Sequence, residues 1–567
     1  MARPCTEQIL SQDYADFIVE YAGQEDALEL RYAPDCYEAV ESQFAIIHKR
    51  LPADGQLDPD AYNYAIIPHL FGLLDTTSME ESGILPVHRS PGPGYLGSGV
   101  IVGIVDTGID YTHPAFCFTD GTSRILALWD QTEEGGSPPD GFAYGSVYDR
   151  AQINRALASE DPHTIVPEMD TEGHGTFLSG IIAGSASKDG MFIGAAPGAD
   201  IAVVRLKQAK DYLRRFYFVS DQTPAYQEND VMTGVAWLVS LSRRLRRPLV
   251  VCLGLGNSLS SHDGSSKLSR YLTSVNDTVG NCVVVAAGNE LGRSHHTSGQ
   301  VASGTDFQTV ELRVDEKETG FQMELWGASA DVFSVEIISP EGEVIRRNTP
   351  RLGQSQTVEL PFEGTQIYVG DKTAETEGGQ FLLVMRFTRP TPGIWTLRVY
   401  GERIISGRFD IWLPMEKFIR EQTYFLEPDP DKTLMTTATA PALIVTAAWN
   451  HYNGGLYIHS SRGFTADGFI KPDFAAPGVN VYGPLPGGRY GTRSGTSVAA
   501  AHGAGAAALL MEWGIYGRHV EDMDGNDIRR LLIRGTIRQS PYIYPDRGWG
   551  YGEMNLENTF ESLRNVL

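Results

Sequence analysis

The sequence predicts an α/β protein whose parallel sheet is covered by helices on both faces. Continuous apolar runs such as Val100–Val105 and Cys282–Ala287 indicate buried strands, and helix-like segments lie between them. From residue 302 to 435 the pattern changes to strands that alternate apolar and polar residues, which is typical of an antiparallel sandwich of about seven strands. The α/β pattern then resumes, so an all-β domain interrupts the parallel-sheet domain.

The first 75 residues form a separate small α+β domain in this prediction. Phe17–Tyr21 favours a strand, Cys36–His48 favours a helix, and Tyr64–Ile67 is a second apolar segment. A chain of 567 residues is also longer than one hydrophobic core requires. The predicted division is 1–75, 76–301, 302–435 and 436–567.

Charge and hydropathy exclude several classes of partner. The chain has 46 basic and 71 acidic residues, a net charge of −25, which argues against binding to nucleic acid or to an anionic membrane surface. It contains no apolar run of about 18 residues or more, so we expect no membrane span. Residues 1–20 are polar and acidic and lack the pattern of a signal peptide, so we expect synthesis in the cytoplasm.

The cysteines do not indicate a disulfide framework or a metal site. Their number is odd, they form no CxxC pair, and no Cys/His cluster has zinc spacing. Cys252 and Cys282 lie in apolar runs and are expected to be buried thiols. We therefore predict no disulfide, no metal and no cofactor. The five cysteines are Cys5, Cys36, Cys117, Cys252 and Cys282.

Three short segments supply the residues for activating a hydroxyl nucleophile. Val105–Gly108 contributes Asp106, Gly173–Thr176 contributes His174, and Ser494–Ser497 contributes Ser497. A serine hydroxyl needs a base to take its proton, and an imidazole base needs a carboxylate to fix its tautomer and to stabilise its charged form. Asp106, His174 and Ser497 are therefore the predicted catalytic residues.

A fourth residue, Asn289, follows the strand-like run Val283–Val285. An amide N–H at a strand end can hold the negative oxygen of a tetrahedral intermediate, which is worth about 2.7–4 kcal/mol. Taken alone, each of the four has an ordinary alternative: Asp106 and Asn289 as turn residues, His174 as a structural residue and Ser497 as a helix cap. Their joint occurrence in one order favours catalysis.

These segments resemble the subtilisin-like serine proteases, or subtilases, whose chain order is Asp, His, Ser. The resemblance implies acyl transfer by the triad, with Asn289 in the oxyanion hole and a protein as the substrate. It also implies that residues 1–75 are a prodomain bound in the active-site cleft. The tail Phe71–Asp75 would lie in that cleft, Leu73 and Leu74 would fill pockets, and self-cleavage would fall near 72–79. The alternative is a permanent small domain that is never removed.

Two positions depart from the subtilase pattern. Gly254, Leu255 and Gly256 stand where the family usually has Ser-Leu-Gly, the edge that pairs with the substrate backbone. A glycine at 254 keeps its N–H and C=O but gives this edge more freedom. Ala115 occupies a position where many subtilases have a calcium-ligating Asp, so we expect no calcium there. The acidic stretch from 160 to 172 is predicted to be a solvated loop.

The layout points to a narrower group, the Csp germination proteases of spore-forming clostridia. Ser123–Thr132, Ser261–Gly264 and Ser497–Ala501 resemble that group, the last with Ala501 where most subtilases have Pro. The resemblance implies limited proteolytic activation of a spore-cortex hydrolase precursor, association with spores, and a jelly-roll insertion that stiffens the core. The alternatives are a pseudoprotease that acts as a signalling scaffold and a general-purpose subtilase.

Overall fold

A computed structural model describes residues 5–21, 25–40, 43–53, 55, 57, 62–73, 79, 81–89, 94–304, 306–347, 353–376 and 378–564. The elements of the N-terminal part are α1 (Thr6–Leu10), β1 (Tyr14–Glu20), α2 (Glu25–Tyr32), β2 (Cys36–Val40), β3 (Phe44–Arg50), β4 (Leu70–Leu73) and α3 (Ile84–His88). Its first three strands form an antiparallel sheet in the order β1–β3–β2.

Two predictions for this part were wrong. The segment Cys36–His48 is not a helix but belongs to the antiparallel pair β2 and β3, in which Cys36 lies opposite His48. Its aromatic and β-branched residues favour strands, and a short apolar run does not distinguish the two structures by periodicity. Cys5 and Cys36 are joined by a disulfide, with Cα atoms 5.6 Å apart. Chain spacing could not predict this pairing, because the fold of the small domain brings the two residues together.

The next part of the chain builds most of the central sheet and both of its helical layers. The two predicted runs Val100–Val105 and Cys282–Ala287 are strands, each displaced by one residue from the prediction. The elements are β5 (Ile101–Asp106), β6 (Ile125–Asp130), β7 (Ser146–Asp149), α4 (Arg150–Leu157), α5 (His174–Ala183), β8 (Asp200–Arg205), α6 (Asp211–Phe216), β9 (Tyr226–Gln227), α7 (Glu228–Leu245), β10 (Leu249–Leu253), β11 (Leu255–Gly256), α8 (Lys267–Asn276) and β12 (Asn281–Ala286).

The inserted β unit has two sheets, one of six and one of five strands, around its own apolar core. Its first strand starts at His296 and pairs with Arg408–Trp412, so the unit begins before the predicted boundary at 302. The strands are β13 (His296–Gln300), β14 (Phe307–Val314), β15 (Gly320–Gly327), β16 (Val332–Ile338), β17 (Val344–Ile345), β18 (Ser355–Leu360), β19 (Thr365–Asp371), β20 (Phe381–Thr388), β21 (Gly393–Arg403), β22 (Arg408–Trp412) and β23 (Tyr424–Phe425).

The last part of the chain returns to the central sheet and completes it. It adds the strands β24 (Ile444–Asn450), β25 (Gly455–Leu456) and β26 (Phe474–Pro477) to that sheet. The completed sheet has nine strands, in the order β25–β24–β12–β10–β5–β8–β6–β7 with β26 paired to β24. Two further strands form a sheet of their own, β27 (Val481–Leu485) and β28 (Arg489–Arg493), and the helices are α9 (Thr496–Met511), α10 (Gly525–Arg534) and α11 (Leu556–Arg564).

Strand β5 lies in the middle of the sheet and is buried on both faces. Ile101 and Val105 belong to the apolar core that contains Leu238 of α7, whereas Val102 and Ile104 belong to the core that contains Leu178 of α5. Alternate side chains of one strand thus support opposite helical layers, as the continuous apolar run predicted. The carboxyl end of β5 is held between these layers, and Asp106 is its last residue.

The small N-terminal sheet docks on the central domain through buried charges. Asp16 of β1 accepts a hydrogen bond from Lys210 Nζ at 2.7 Å and another from Gln227 Nε2 at 2.9 Å. Lys210 also donates to the carbonyl oxygens of Gln8 and Tyr14, at 2.9 and 3.2 Å. Removing one member of such a buried pair while leaving the other typically costs about 3–5 kcal/mol.

One helical segment of the described chain, Thr496–Tyr516, is long and apolar enough to cross a membrane by length and composition alone. Its most apolar window is 89% buried inside the fold, as the central helix of a packed domain is. Small residues dominate α9, which lets it lie close to α5 and to the sheet.

Candidate active site

Asp106 enters the site at the carboxyl end of β5, where strand ends of a parallel sheet gather functional groups. Its side chain is buried, and its Oδ1 accepts a hydrogen bond from the backbone N–H of Thr107 at 2.8 Å. The Thr107 side chain in turn accepts a hydrogen bond from the backbone N–H of Gly175 at 2.8 Å. The turn after β5 is therefore fastened to the first turn of α5.

His174 is the first residue of α5, and the glycines beside it let the helix approach the Asp106 turn. A Cβ on Gly175 would lie 2.2 Å from the carbonyl oxygen of Gly108, which no side chain tolerates. Gly173 has φ 76°, a backbone conformation that favours glycine. Because the helix lies close to the turn, His174 Nδ1 can donate to both carboxylate oxygens of Asp106, at 2.8 and 2.9 Å.

Ser497 lies in the first turn of α9, and its Oγ is 3.2 Å from His174 Nε2. The helix begins after Gly495, so Ser497 is inside the helix and does not serve as its cap. With Nδ1 protonated toward Asp106, Nε2 is the acceptor for the Ser497 hydroxyl. The three predicted residues thus form one connected line, Asp106 to His174 to Ser497, and all three are buried.

Asn289 follows β12 and is held by a residue that the sequence did not single out. Its Oδ1 accepts hydrogen bonds from Thr496 N at 3.1 Å and from Thr496 Oγ1 at 3.2 Å. Thr496 Oγ1 also accepts a hydrogen bond from Gly288 N at 3.0 Å. Because its oxygen is engaged by Thr496, the Asn289 amide presents its NH₂ group as the remaining donor. Thr496 is therefore a positioning residue for Asn289.

The predicted substrate edge, Gly254 to Gly256, is occupied by the chain's own N-terminal part. Leu255 and Gly256 pair antiparallel with Leu73 and Gly72 of β4. The other side of β4 pairs with β9, so β4 is the middle strand of three. Residues 74–78, which include Leu74, Asp75 and most of the predicted cleavage region 72–79, lie outside the described residues.

Gly254 lies at the point where this edge meets the triad. A Cβ built there would be 3.0 Å from His174 Cε1, 3.0 Å from Ser497 Cβ and 2.6 Å from Leu178 Cδ1. We expected the glycine to loosen the edge, but its main consequence is close packing. The backbone of the predicted substrate edge lies close to both His174 and Ser497, and a side chain at position 254 would require these neighbours to shift.

Met435 fills the space between two glycines beside the triad. A Cβ on Gly256 would lie 2.5 Å from Met435 Cγ, and a Cβ on Gly288 would lie 2.7 Å from the same atom. The Met435 side chain is fully buried, and its backbone N–H donates to the Ala287 carbonyl oxygen at 2.9 Å. Met435 therefore closes the slot between the substrate edge and the Gly288–Asn289 turn. No sequence motif points to Met435, because it lies in the segment after the β insertion, far along the chain from the glycines that it contacts.

The cysteines near the site are not nucleophiles. Cys252 and Cys282 are free and buried, as predicted. Burial raises the pKa of both thiols, and the charge of Asp106 adds to the effect at Cys252. A thiol with a raised pKa carries almost no thiolate at neutral pH.

The acidic stretch before His174 is not simply the solvated loop that the sequence predicts, because two of its carboxyl groups, Glu168 and Asp170, are buried. Within the described residues it holds no cluster that could bind a cation. Asp170 accepts hydrogen bonds from Gly173 N and Thr176 N, both at 2.8 Å. Glu168 is buried, and burial raises the pKa of its carboxyl group well above the usual range. Its Oε1 accepts a hydrogen bond from Ile109 N at 3.0 Å. These carboxyl groups fix the turn after β5 and the start of α5.

Comparison with known proteins agrees with this geometry. The profile of the "Subtilase family" matches residues 97–392 and 419–552. The C5a peptidase of Streptococcus pyogenes serotype M1 is 25% identical over 79% of this chain and 37% of that protein. The minor extracellular protease Vpr of Bacillus subtilis is 24% identical over 83% of this chain and 52% of its own length. The chain thus spans about a third to a half of these curated relatives.

A solved structure covers nearly the whole fold. The CspB protease of Clostridium perfringens is 32% identical, with a TM-score of 0.76 over 86% of this chain and 97% of that one. The matched range includes all four predicted residues of the site, Asp106, His174, Asn289 and Ser497.

Proposed function

The chain belongs to the subtilase family of serine peptidases, and on that basis we propose that it is an endopeptidase that hydrolyses peptide bonds through Asp106, His174 and Ser497. The observation that carries this proposal is the unbroken contact line of the triad. His174 lies 2.8 Å from Asp106 on one side and 3.2 Å from Ser497 on the other. Both separations are within or close to hydrogen-bond range before any substrate has tightened the site.

The proposed mechanism is acyl transfer in two stages. Ser497 Oγ attacks the peptide carbonyl while His174 Nε2 takes its proton and then passes it to the leaving amine. Asp106 holds the imidazole and stabilises its charged form. The Asn289 side-chain amide and the Ser497 backbone N–H donate to the oxyanion. In the second stage, water attacks the acyl-enzyme with His174 again as the base, and Ser497 is regenerated.

We propose that residues 1–75 act as a prodomain that blocks the cleft until it is cleaved. The support is β4, which lies where a substrate strand would pair and runs toward Gly254 beside Ser497. An added strand of this kind offers the backbone hydrogen bonds of β-augmentation. Self-cleavage after β4, near 72–79, would leave β4 in the site as a product-like inhibitor.

Met435 defines the substrate preference that we propose. The side chain before the scissile bond would enter between the Leu255–Gly256 edge and the Gly288–Asn289 turn, where Met435 stands. Because Met435 shortens this slot, the slot has more room for an aliphatic side chain than for a bulky aromatic one. We infer a preference for residues no larger than Leu at that position.

For the biological role, we propose limited cleavage of a protein precursor, a spore-cortex hydrolase, by a protease made in the cytoplasm and associated with spores. The support is the 32% identity to the CspB protease together with the sequence stretches that resemble the Csp group. The complete triad speaks against a pseudoprotease that works only as a signalling scaffold. The β4 strand in the cleft speaks against unrestricted digestion of bulk protein.

A fluorophosphonate that labels activated serines tests the proposed activity. We expect one label on Ser497 of the wild type and none on Ser497→Ala. Ser494→Ala is the matched control, because Ser494 lies in the same segment but its Oγ accepts a hydrogen bond from Asn480. Equal labelling of wild type and Ser497→Ala, or no label on a folded and processed wild type, would overturn the proposal.

A further inference from the structure

A row of polar side chains crosses one face of the N-terminal sheet. His48 on β3 lies opposite Asp16 on β1 and opposite Cys36 on β2, and directly opposed residues share a face of the sheet. Cys5, just before α1, reaches the same place and is bonded to Cys36. One ligand atom each from Cys5, Cys36 and His48 lie within 4.8 Å of one another, and the three residues are buried.

The imidazole of His48 is satisfied on one side only. Its Nδ1 hydrogen-bonds to Asp16 Oδ1 at 2.6 Å. Its Nε2 is buried and has no hydrogen-bond partner among the described residues. Leaving a buried polar atom unpaired typically costs about 1–3 kcal/mol, so a ligand bound to His48 Nε2 would stabilise the domain.

The carboxylate of Glu38 faces His48 Nε2 at a distance that suits two ligands of one metal ion better than a hydrogen bond. Glu38 Oε2 lies 3.7 Å from His48 Nε2, beyond hydrogen-bond range. Two tetrahedral zinc ligands with bonds of about 2.0 Å are about 3.3 Å apart, close to this separation. Glu38 is two residues from Cys36 on β2 and therefore shares its face.

We propose that, when the Cys5–Cys36 disulfide is reduced, the N-terminal domain binds a zinc ion. Cys5 Sγ, Cys36 Sγ and His48 Nε2 are the ligands, and the Glu38 carboxylate takes the fourth position. Two thiolates, an imidazole and a carboxylate are a donor set that zinc accepts in tetrahedral geometry. Asp16 supplies the carboxylate that orients a zinc-bound histidine through its other nitrogen.

The exchange between the two forms balances with a small-molecule thiol as the reductant. Two equivalents of R–SH break the S–S bond, form R–S–S–R and leave two protein thiols. Zinc binding then displaces the two thiol protons, which pass to solvent. Disulfide and zinc each tie α1 to β2, so the domain stays cross-linked in oxidising and in reducing surroundings.

Cobalt(II) titration of the whole chain tests this proposal without altering the site. We would use Ser497→Ala, which keeps residues 1–75 attached, after reduction with a thiol and removal of metal. The expected result is about one cobalt ion per chain, with thiolate-to-cobalt charge-transfer absorption and the intense visible bands of a tetrahedral complex, both lost when zinc is added. A spectrum without thiolate-to-cobalt absorption would overturn the proposal.

Zinc content of variants identifies the ligands. In the Ser497→Ala background, Cys5→Ser and His48→Gln are each expected to lower zinc affinity at least about tenfold. Cys117→Ser is the matched control, because Cys117 is a free thiol outside this domain. If Cys117→Ser lowered zinc binding as much as Cys5→Ser, the metal would lie elsewhere and the assignment would be wrong. The cobalt spectrum of the unaltered site remains decisive should His48→Gln disturb folding.

Discussion

Gly254 lies so near Ser497 that a Cβ on the glycine would stand 3.0 Å from Ser497 Cβ. The same Cβ would stand 3.0 Å from His174 Cε1. The predicted substrate edge and the triad are therefore closely packed, and the glycine at position 254 permits this approach.

Gly254→Ala is expected to lower kcat by about tenfold, because the new methyl group must displace His174 or Ser497 by a few tenths of an ångström, and a misplacement of about 1 Å typically costs about 10²-fold. The change is measured as kcat and KM on a peptide substrate with the processed enzyme. Gly455→Ala is the control, since a Cβ there meets only Asn453 Oδ1 at 3.4 Å. Full activity of Gly254→Ala would show that the site relaxes freely around position 254.

Asn289→Ala is expected to lower kcat by about 10²–10³-fold with little change in KM, because the amide donates to charge that forms only in the transition state. Thr496→Val removes the hydroxyl that orients Asn289 but keeps the backbone N–H, and its loss of kcat is expected to be smaller. Steady-state kinetics of the two variants beside wild type check this order. A rise in KM at constant kcat would assign Asn289 to substrate binding instead.

Met435→Ala is expected to raise kcat/KM for a substrate with Phe before the scissile bond, relative to one with Leu, by about tenfold. The removed thioether lengthens the slot between Gly256 and Gly288, and the larger ring gains the space. Met435→Leu preserves the volume and is expected to leave the ratio unchanged. An unchanged ratio in Met435→Ala would place the specificity pocket elsewhere.

The docking of β4 is expected to weaken as the pH rises above neutral. His69 Nδ1 lies 3.1 Å from Glu228 Oε2. Burial disfavours the charged imidazolium of His69 and by itself would lower its pKa. The hydrogen bond and the charge of Glu228 outweigh burial, so the pKa of His69 is raised above 6.5. The charge of Glu324 adds to this rise, and the charge of Lys267 reduces it. The pKa of Glu228 is lowered from 4.5, because the hydrogen bonds and charge of His69 overcome its burial.

The two pKa shifts together determine how the stabilisation of the docked β4 strand depends on pH. The raised pKa of His69 gives stabilisation that is complete below about pH 6.5 and is lost as the pH rises through the folded-state pKa. The lowered pKa of Glu228 gives stabilisation that is present above about pH 4.5. Hydrogen exchange of the Leu70–Leu73 amides in Ser497→Ala, corrected for intrinsic rates, is expected to show about tenfold less protection at pH 8.5 than at pH 6. His69→Gln should remove this dependence, and a pH profile unchanged by His69→Gln would contradict the assignment.

The triad could be predicted from the sequence because each member sits in a short segment whose small neighbours are themselves required. Gly175, for example, leaves the space that brings α5 onto the Asp106 turn. The parallel strands were predictable for a related reason, since burial on both faces produces continuous apolar runs. The triad and the parallel strands could therefore be predicted because short segments of sequence determine their local geometry.

Residues whose role depends on distant partners were not predictable. Met435 reaches the site from beyond a long β insertion, and Thr496 acts through Asn289, more than two hundred residues away in the chain. The helix predicted over Cys36–His48 was wrong because its strands are stabilised by pairing with each other and with a third strand. Cys36 lies opposite His48, and His48 lies opposite Asp16. These contacts form only when the sheet assembles.

Intact mass and N-terminal sequencing of the wild type beside Ser497→Ala test the central claim, that His174 and Asp106 activate Ser497. The account predicts a wild type in two pieces, with a new N-terminus shortly after β4, and a Ser497→Ala chain that remains whole. It also predicts that the processed wild type takes a fluorophosphonate label. Two whole chains of equal mass, neither of which is labelled, would contradict the claim and leave this fold without an active nucleophile.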